Sequence, residues 1–380
     1  MKIHLIRGPI LIRVDGECYI LGVKVKNQLI FWDNIKTLPI ENTRGAKIYL
    51  IKNKKNLKSH GFRVNNQSNL GMFIWKKTVD EILRLNCKKI AVIGPSDSGK
   101  STFSLYLANR LLDNKERPLL IDADVGQGDL APPTCIGSVL LTEQKLDLAM
   151  IRSNYMKFIG SIQPSNNEKR IILSVNELID KSACYDRCII NTDGYVNGKG
   201  IYYKLKLLEK TKPDCIVSLG YTTIHSKLRQ YAKLSKEWKY VLLRGRKPDS
   251  VVNRTQTDRY RKRMYTLSKF ITQSNIYNIK KHISDIRLVY YQNIFYENSH
   301  NHGICVDQRT LVYLFKEIAR SKKLNNTFVG LGSSKEIDVV NGFGIIKNFE
   351  NDIVTVCATS EYFDSIYLSD LRIDNNSSSD

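Results

Sequence analysis

The run Gly94-Pro95-Ser96-Asp97-Ser98-Gly99-Lys100-Ser101-Thr102 fits the spacing G-x-x-x-x-G-K-[ST]. Its chemistry is the holding of a triphosphate. Glycines let the backbone curl so that successive N–H groups point inward at phosphate oxygens. Lys100 can reach the β- and γ-phosphates, and the Ser101 hydroxyl can ligate Mg²⁺. A helix from about Thr102 would aim its positive end at the same anion.

A second group follows the apolar stretch Leu119-Leu120-Ile121, as Asp122-Ala123-Asp124-Val125-Gly126-Gln127-Gly128-Asp129. Two carboxylates at a strand end beside the phosphate-loop strand suit a Mg²⁺–water shell and an acceptor hydroxyl. Phosphoryl transfer is largely positioning and charge neutralisation, so little more is needed. Gln127 could orient a water or the γ-phosphate. The alternative is structural: Asp122 and Asp124 cap the turn that follows them.

These residues need a scaffold, and the flanking sequence supplies one. Lys89-Ile90-Ala91-Val92-Ile93 reads as a buried parallel strand. Phe103, Leu105, Tyr106, Leu107, Leu111 and Leu112 suit a helix after the loop. Further strands are expected at 118–122, 187–191, 214–219 and 239–243, with helical stretches between several of them. That pattern implies a mainly parallel sheet with both faces covered, and ligands at the strand C-terminal ends. The expected fold class is α/β, a P-loop NTPase core flanked by smaller β-rich domains.

Residues 1–75 read as a β-domain, with strands at 3–12, 18–25, 28–32 and 46–51 and turns at Asp15-Gly16 and Arg44-Gly45. Its basic stretch 52–58 reads as an exposed loop. Residues 71–87 resemble an amphipathic helix leading into the first core strand. The core would span 76–280, with an arginine-rich stretch at about 250–270. A C-terminal β-containing domain would span 281–374, with Gly330, Gly332, Gly342 and Gly344 at turns, before a polar, disordered tail at 375–380.

The chain has 380 residues, of which 42% are hydrophobic and 25% charged, as in a soluble globular protein. No apolar run nears the ~18 residues that span a bilayer, so no membrane role is expected. Arg7 and Arg13 interrupt the N-terminus too early for a signal peptide. The eight cysteines form no C-x-x-C pair and read as reduced, mostly buried thiols of an intracellular protein. That protein would be cytoplasmic in a prokaryote and nuclear in a eukaryote. His300, His302 and Cys305 form a polar loop in preference to a metal site. The net charge of +22 favours a polyanion partner. Residues 225–281 hold 16 Lys and Arg against 3 Asp and Glu, a local balance of +13. Such clustering favours a nucleic-acid surface.

Taken with the two loops, three more segments carry a resemblance. Phe158-Ile159-Gly160-Ser161-Ile162-Gln163-Pro164-Ser165-Asn166-Asn167 is similar to an F-x-G-x-x-x-P segment. Ile190-Asn191-Thr192-Asp193-Gly194-Tyr195-Val196-Asn197-Gly198-Lys199-Gly200 resembles N-T-x-G-W-x-x-G-x-G, and Pro213-Asp214 to Leu219-Gly220 resembles P-D-x-x-x-x-L-G. This set, in this order, resembles the polynucleotide 5′-hydroxyl kinases of pre-mRNA cleavage, tRNA splicing and rRNA processing. The compact length is most like the archaeal members.

The resemblance implies transfer of the ATP γ-phosphate to the 5′-hydroxyl of RNA, with DNA as a second acceptor. It makes Asp124 the catalytic aspartate and Asp122 its metal-shell support. Gln163, Ser165 and Asn167 fall on the segment that clasps the P-loop lysine region or substrate. The run Arg254 to Arg263 becomes a lid, with Arg259 first among the arginines that would neutralise the transferring group, and Arg254 and Arg263 next. The same arginines equally suit the RNA backbone, on a helix capped by Thr257 or Asp258. Tyr195 stands where the family often has a tryptophan, and would stack on an acceptor base or pack under the next helix. Two other readings share the loop: an NTP-hydrolysing switch, and an ATP-bound RNA scaffold without catalysis.

Overall fold

The computed structural model describes residues 2–32, 36–51, 69–182, 184–220, 223–234, 238–248, 251, 253–272, 275–290, 324–333, 335 and 339–373. The stretch 52–58, the trio His300, His302 and Cys305, and the tail 375–380 lie outside these residues. The chain folds as two compact units, each discontinuous in sequence. The first takes Met1–Ile121, Val139–Ile151 and Ser182–Thr255, and the second Asp122–Ser138, Arg152–Lys181 and Gln256–Asp380.

The first unit opens with an antiparallel sheet of β1 (Lys2–Arg7), β2 (Ile10–Ile20), β3 (Val23–Trp32), β4 (Thr37–Asn42) and β5 (Lys47–Ile51). Alternation along β2 turns Ile10, Ile12, Val14, Cys18 and Ile20 inward onto Val25, Ile30, Trp32, Leu38 and Ile40. Two expectations are corrected here. The single strand at 3–12 is broken at Gly8-Pro9, where β1 ends and β2 begins. Asp15-Gly16 is no turn but a bulge within β2: the register with β3 shifts between Val14 and Glu17 and Gly16 takes φ +104. The reversal falls instead at Leu21 and Gly22, both at positive φ (47° and 80°), as a tight two-residue hairpin requires.

The core elements follow in chain order: α1 (Asn69–Arg84), β6 (Lys89–Ile93), α2 (Lys100–Asp113), β7 (Pro118–Ala123), β8 (Cys135–Leu140), β9 (Tyr155–Phe158), α3 (Glu168–Lys181), β10 (Arg187–Thr192), α4 (Lys199–Thr211), β11 (Cys215–Leu219), α5 (Thr223–Leu234) and β12 (Val241–Gly245). In the first unit the strands run β12-β11-β6-β10-β7, with parallel ladders joining β12, β11, β6 and β10. The acidic strand β7 is therefore not beside the phosphate-loop strand β6, as the sequence suggested; β10 stands between them. The Cys188-Ile189-Ile190 run of β10 is buried throughout, as a central strand covered on both faces must be.

In the second unit β8 pairs antiparallel with β9, and α3 buries Ile171, Val175, Leu178 and Ile179. Helix α6 (Gln256–Thr272) leads to β13 (Tyr277–His282), β14 (Arg287–Tyr290), β15 (Thr327–Gly332), β16 (Val340–Glu350), β17 (Ile353–Ala358) and β18 (Ser365–Arg372). These form a six-stranded sheet ordered β13-β17-β16-β15-β18-β14. The four glycines expected at turns lie inside it: Val329 faces Gly344, Gly330 faces Phe343, Leu331 faces Gly342 and Gly332 faces Val340. The reason is space. A Cβ on Gly330 would fall 2.6 Å from Val340 and 2.7 Å from the Phe158 ring, and one on Gly344 2.5 Å from Val356. The five cysteines 18, 87, 135, 188 and 215 are buried free thiols, while Cys184 is exposed.

Candidate active site

Strand β6 delivers the phosphate loop. It is buried from Ile90 to Ile93, and α2 starts at Lys100, two residues earlier than expected. Two glycines are obligatory between them. A Cβ on Gly94 would lie 2.6 Å from the Leu219 carbonyl oxygen; Gly99 has φ +90 and faces the Trp75 ring at 3.0 Å. Trp75 is fixed in turn, with Nε1 donating to the Arg246 carbonyl at 2.9 Å and its ring edge-on to Phe103. Helix α1 thus braces the loop.

Lys100 is buried and donates from Nζ to the Pro95 carbonyl at 2.8 Å, folded over its own loop. Asp97, at φ +56, accepts the Arg254 backbone N–H at 3.1 Å, with the Arg254 guanidinium 4.0 Å from its other oxygen. A predicted cofactor residue and a predicted substrate residue are therefore joined. Ser101 and Thr102 border a cleft whose wall includes Trp32, Lys36, Leu146 and Asp147, with Lys36 and Asp147 ion-paired at 2.8 Å.

The end of β10 supplies residues that the sequence analysis quoted within a motif but gave no role. Asn191 donates from Nδ2 to the Ser101 hydroxyl at 3.2 Å. Thr192 donates to the Val92 carbonyl at 2.9 Å. Asp193, buried, accepts from the Tyr195 backbone at 2.7 Å and the Tyr203 hydroxyl at 2.9 Å, and is ion-paired with Lys204 at 2.7 Å. Gly194 touches the loop directly: a Cβ there would stand 2.2 Å from the Ser96 hydroxyl and 2.8 Å from its Cα. Tyr195 is half-buried, with its ring 6.3 Å from that of Tyr203 and tilted by 30°. The available signal was a polar tail, Asn-Thr-Asp-Gly, on an otherwise apolar strand.

In the second unit, Asp122 and Asp124 shape the acidic loop. Asp122 is 1% exposed; its Oδ2 accepts the N–H of Asp129 at 2.7 Å and of Leu130 at 3.4 Å. Burial, then the charges of Asp129 and Asp124, push its pKa up to about 6. Asp124 is half-buried, and its Oδ1 accepts the N–H groups of Gly126 (3.1 Å) and Gln127 (2.9 Å). Both aspartates cap this turn. Its other oxygen takes no hydrogen bond among the described residues. Gln127 donates from Nε2 to the Gly126 carbonyl at 2.8 Å and to the Arg259 carbonyl at 3.2 Å, while its Oε1 is buried without a partner among the described residues.

Helix α6 begins at Gln256, so Thr257 and Asp258 sit in its first turn and do not cap it. Arg259 and Arg263 are half-buried one turn apart. Burial and the neighbouring Arg259 lower the pKa of Arg263. Between them Lys262, which sequence reading did not single out, is buried and pairs with Asp129 at 3.1 Å. Gln163 is exposed, and Ser165 and Asn167 are half-buried. Asn167 donates to the carbonyls of Gln163 (3.1 Å) and Ser165 (3.4 Å), knotting that segment on itself. Ser161 anchors it by donating to Asp370 at 2.6 Å.

Residues 94–273 match the family described as the mRNA cleavage and polyadenylation factor CLP1 P-loop. The chain is 27% identical over 191 residues to a polyribonucleotide 5′-hydroxyl-kinase of Pyrococcus abyssi, covering 50% of this chain and 52% of that one. It is 35% identical over 132 residues to the Pyrococcus furiosus kinase of the same name, covering 34% and 37%. The chain thus spans about half or less of the length of these relatives. A solved Clp1p structure, concerned with its interface with Pcf11p, superposes with a TM-score of 0.74 at 13% identity over 98% of this chain and 96% of that one. That likeness establishes the fold.

Proposed function

We propose, from the match of residues 94–273 to the CLP1 P-loop family, that the chain is an ATP-dependent polynucleotide 5′-hydroxyl kinase acting on RNA ends, with DNA as a second acceptor. The observation that carries this reading is the brace around the phosphate loop. Gly94, Gly99 and Gly194 leave no room for side chains where the loop curls, and Lys100 waits on the Pro95 carbonyl. An arriving triphosphate exchanges that neutral acceptor for an anionic one, a stronger hydrogen bond for the same ammonium.

The roles follow residue by residue. The backbone of 94–101 and Lys100 hold the phosphates. Asp124 orients or deprotonates the 5′-hydroxyl with its unengaged oxygen. Arg259 stabilises charge on the transferring group, and Tyr195 offers a ring to the acceptor base. The basic segment 225–281 attracts the RNA backbone. For Mg²⁺, the Ser101 hydroxyl is the ligand this unit offers: it receives an N–H from Asn191, which leaves oxygen lone-pair capacity for a cation. When bound, Mg²⁺ neutralises phosphate charge.

The test uses labelled ATP with oligonucleotides that carry either a 5′-hydroxyl or a 5′-phosphate. Label is expected only on 5′-hydroxyl ends. Release of free phosphate regardless of RNA would instead identify a hydrolytic switch. Retention of ATP with neither product would identify a scaffold.

A further inference from the structure

Residues 127–129 are bonded to α6 at three points. Gln127 donates its amide to the Arg259 carbonyl at 3.2 Å. Lys262 donates to the Gln127 carbonyl at 2.5 Å and pairs with Asp129 at 3.1 Å. Lys269, two turns on, donates to the Asp129 carbonyl at 3.3 Å. The same loop is wound by its own carboxylates, with Asp129 N–H on Asp122 and Gln127 N–H on Asp124. An unbroken chain of bonds therefore runs from Asp124 through Gln127 to the turn of α6 that carries Arg259.

Lys262 is the ammonium in that chain. Asp122 and Asp129 are 1% and 2% exposed and adjoin through the Asp129 N–H bond to Asp122, so their charges raise each other's cost of ionisation. A buried cation between α6 and the loop offsets that cost, and its removal weakens the compensation of two buried carboxylates. Its two acceptors lie in one turn, two residues apart. Lys262 thus fixes both the charge and the position of the loop.

We propose that Lys262 is a positioning residue for phosphoryl transfer, latching the Asp124 loop to α6 so that Asp124 and Arg259 move as one piece. This rests on the kinase reading for its effect on rate. The latch itself can be read without activity.

The experiment compares the full-length wild type with Lys262→Met, Lys262→Arg and Asp129→Asn. In transfer of the ATP γ-phosphate to a 5′-hydroxyl oligoribonucleotide, Lys262→Met is expected to lower kcat by about tenfold to 100-fold, as small misplacements of reacting groups do. Its KM for ATP should move by less than about twofold. Lys262→Arg, which restores the cation, should recover most of the loss, and Asp129→Asn should reproduce part of it. A merely structural lysine would not give that split or that rescue. Amide hydrogen exchange is measured on the same proteins: in Lys262→Met, protection should fall together in 124–130 and 256–263. If wild type transfers nothing, the kinase reading fails while the exchange result still decides the latch. A folded Lys262→Met with unchanged exchange, or with kcat within twofold of an active wild type, overturns the proposal. If Lys262→Met does not fold, Asp129→Asn decides by the same two readouts.

Discussion

The phosphate loop and the acidic loop are both turns that follow a buried strand, yet they are held in opposite ways. Around Gly94–Gly99 the controlling feature is missing side chains: Gly94 against the Leu219 carbonyl, Gly99 against Trp75 and Gly194 against Ser96. Around 122–130 it is side chains that accept backbone N–H groups, with a lysine from a distant helix closing the turn. A loop shaped by absence has a spacing that can be recognised in one line of sequence. A loop shaped by long-range bonds shows only its local half.

The comparison breaks most visibly at the chemistry. Lys100→Ala removes the phosphate-loop cation without touching the glycines that shape the loop. Transfer should fall by at least about 100-fold, the scale of losing one electrostatic stabiliser. Asp124→Asn is the matching change in the acidic loop, because an amide oxygen still accepts the N–H groups of Gly126 and Gln127. Its kcat should fall by about 100-fold or more, the scale of a general base, with the urea midpoint little changed. Unchanged transfer in either variant would remove that residue from the reaction.

Gly194→Ala and Gly126→Ala sharpen the contrast in folding. The first places a methyl 2.2 Å from the Ser96 hydroxyl and 2.6 Å from its backbone nitrogen; the second places one 2.6 Å from the Ile162 carbonyl. Each should cost about 1–3 kcal/mol in urea unfolding, as overpacking does. Only Gly194→Ala should also weaken ATP binding, since it pushes on the phosphate loop. Equal ATP affinity in the two variants would contradict the close-approach reading of Gly194.

Legibility in the sequence follows the same division. Strand β6, the loop and α2 could be read because apolar run, glycine spacing and helical periodicity agree locally. The strand order could not: β10 separates β6 from β7, and nothing local states which neighbour a buried strand takes. Gly330 and Gly344 looked like turns because the close approach of Phe158 and Val356 that demands them is remote in sequence. Lys262 was hidden for a related reason. Among the five cationic residues of 254–263, only its burial against Asp129 distinguishes it from its arginine neighbours. Tyr195 could be located but not assigned, since ring packing on Tyr203 and a face for a base are both satisfied by a half-buried aromatic. Tyr195→Ala separates them. Loss of stacking should raise KM for the oligonucleotide by about 1–3 kcal/mol in equivalent binding while ATP affinity holds. A fall in stability with unchanged KM would assign the ring to packing.

The smallest expected effect concerns the support of the 161–167 segment. Asp370 is exposed as a residue, yet desolvation of its carboxyl raises its pKa against the opposing hydrogen bonds from Ser161 and the Ile162 backbone. The folded protein therefore keeps this proton to higher pH than the unfolded chain does. The sign is fixed by that order: protonated Asp370 supports folding fully below the ordinary aspartate value of about 3.9, and the support is lost as pH rises through the raised folded value. Asp370→Asn leaves an oxygen to accept from Ser161 and removes the titration. Its stability relative to wild type should rise as pH goes from about 4 to about 7, measured as the difference in urea midpoints. A difference that does not vary with pH would mean that burial does not control this carboxylate. The Ser161 hydrogen bond would then hold the segment whatever the charge on the carboxyl, a side-chain anchor unlike the glycine-shaped phosphate loop.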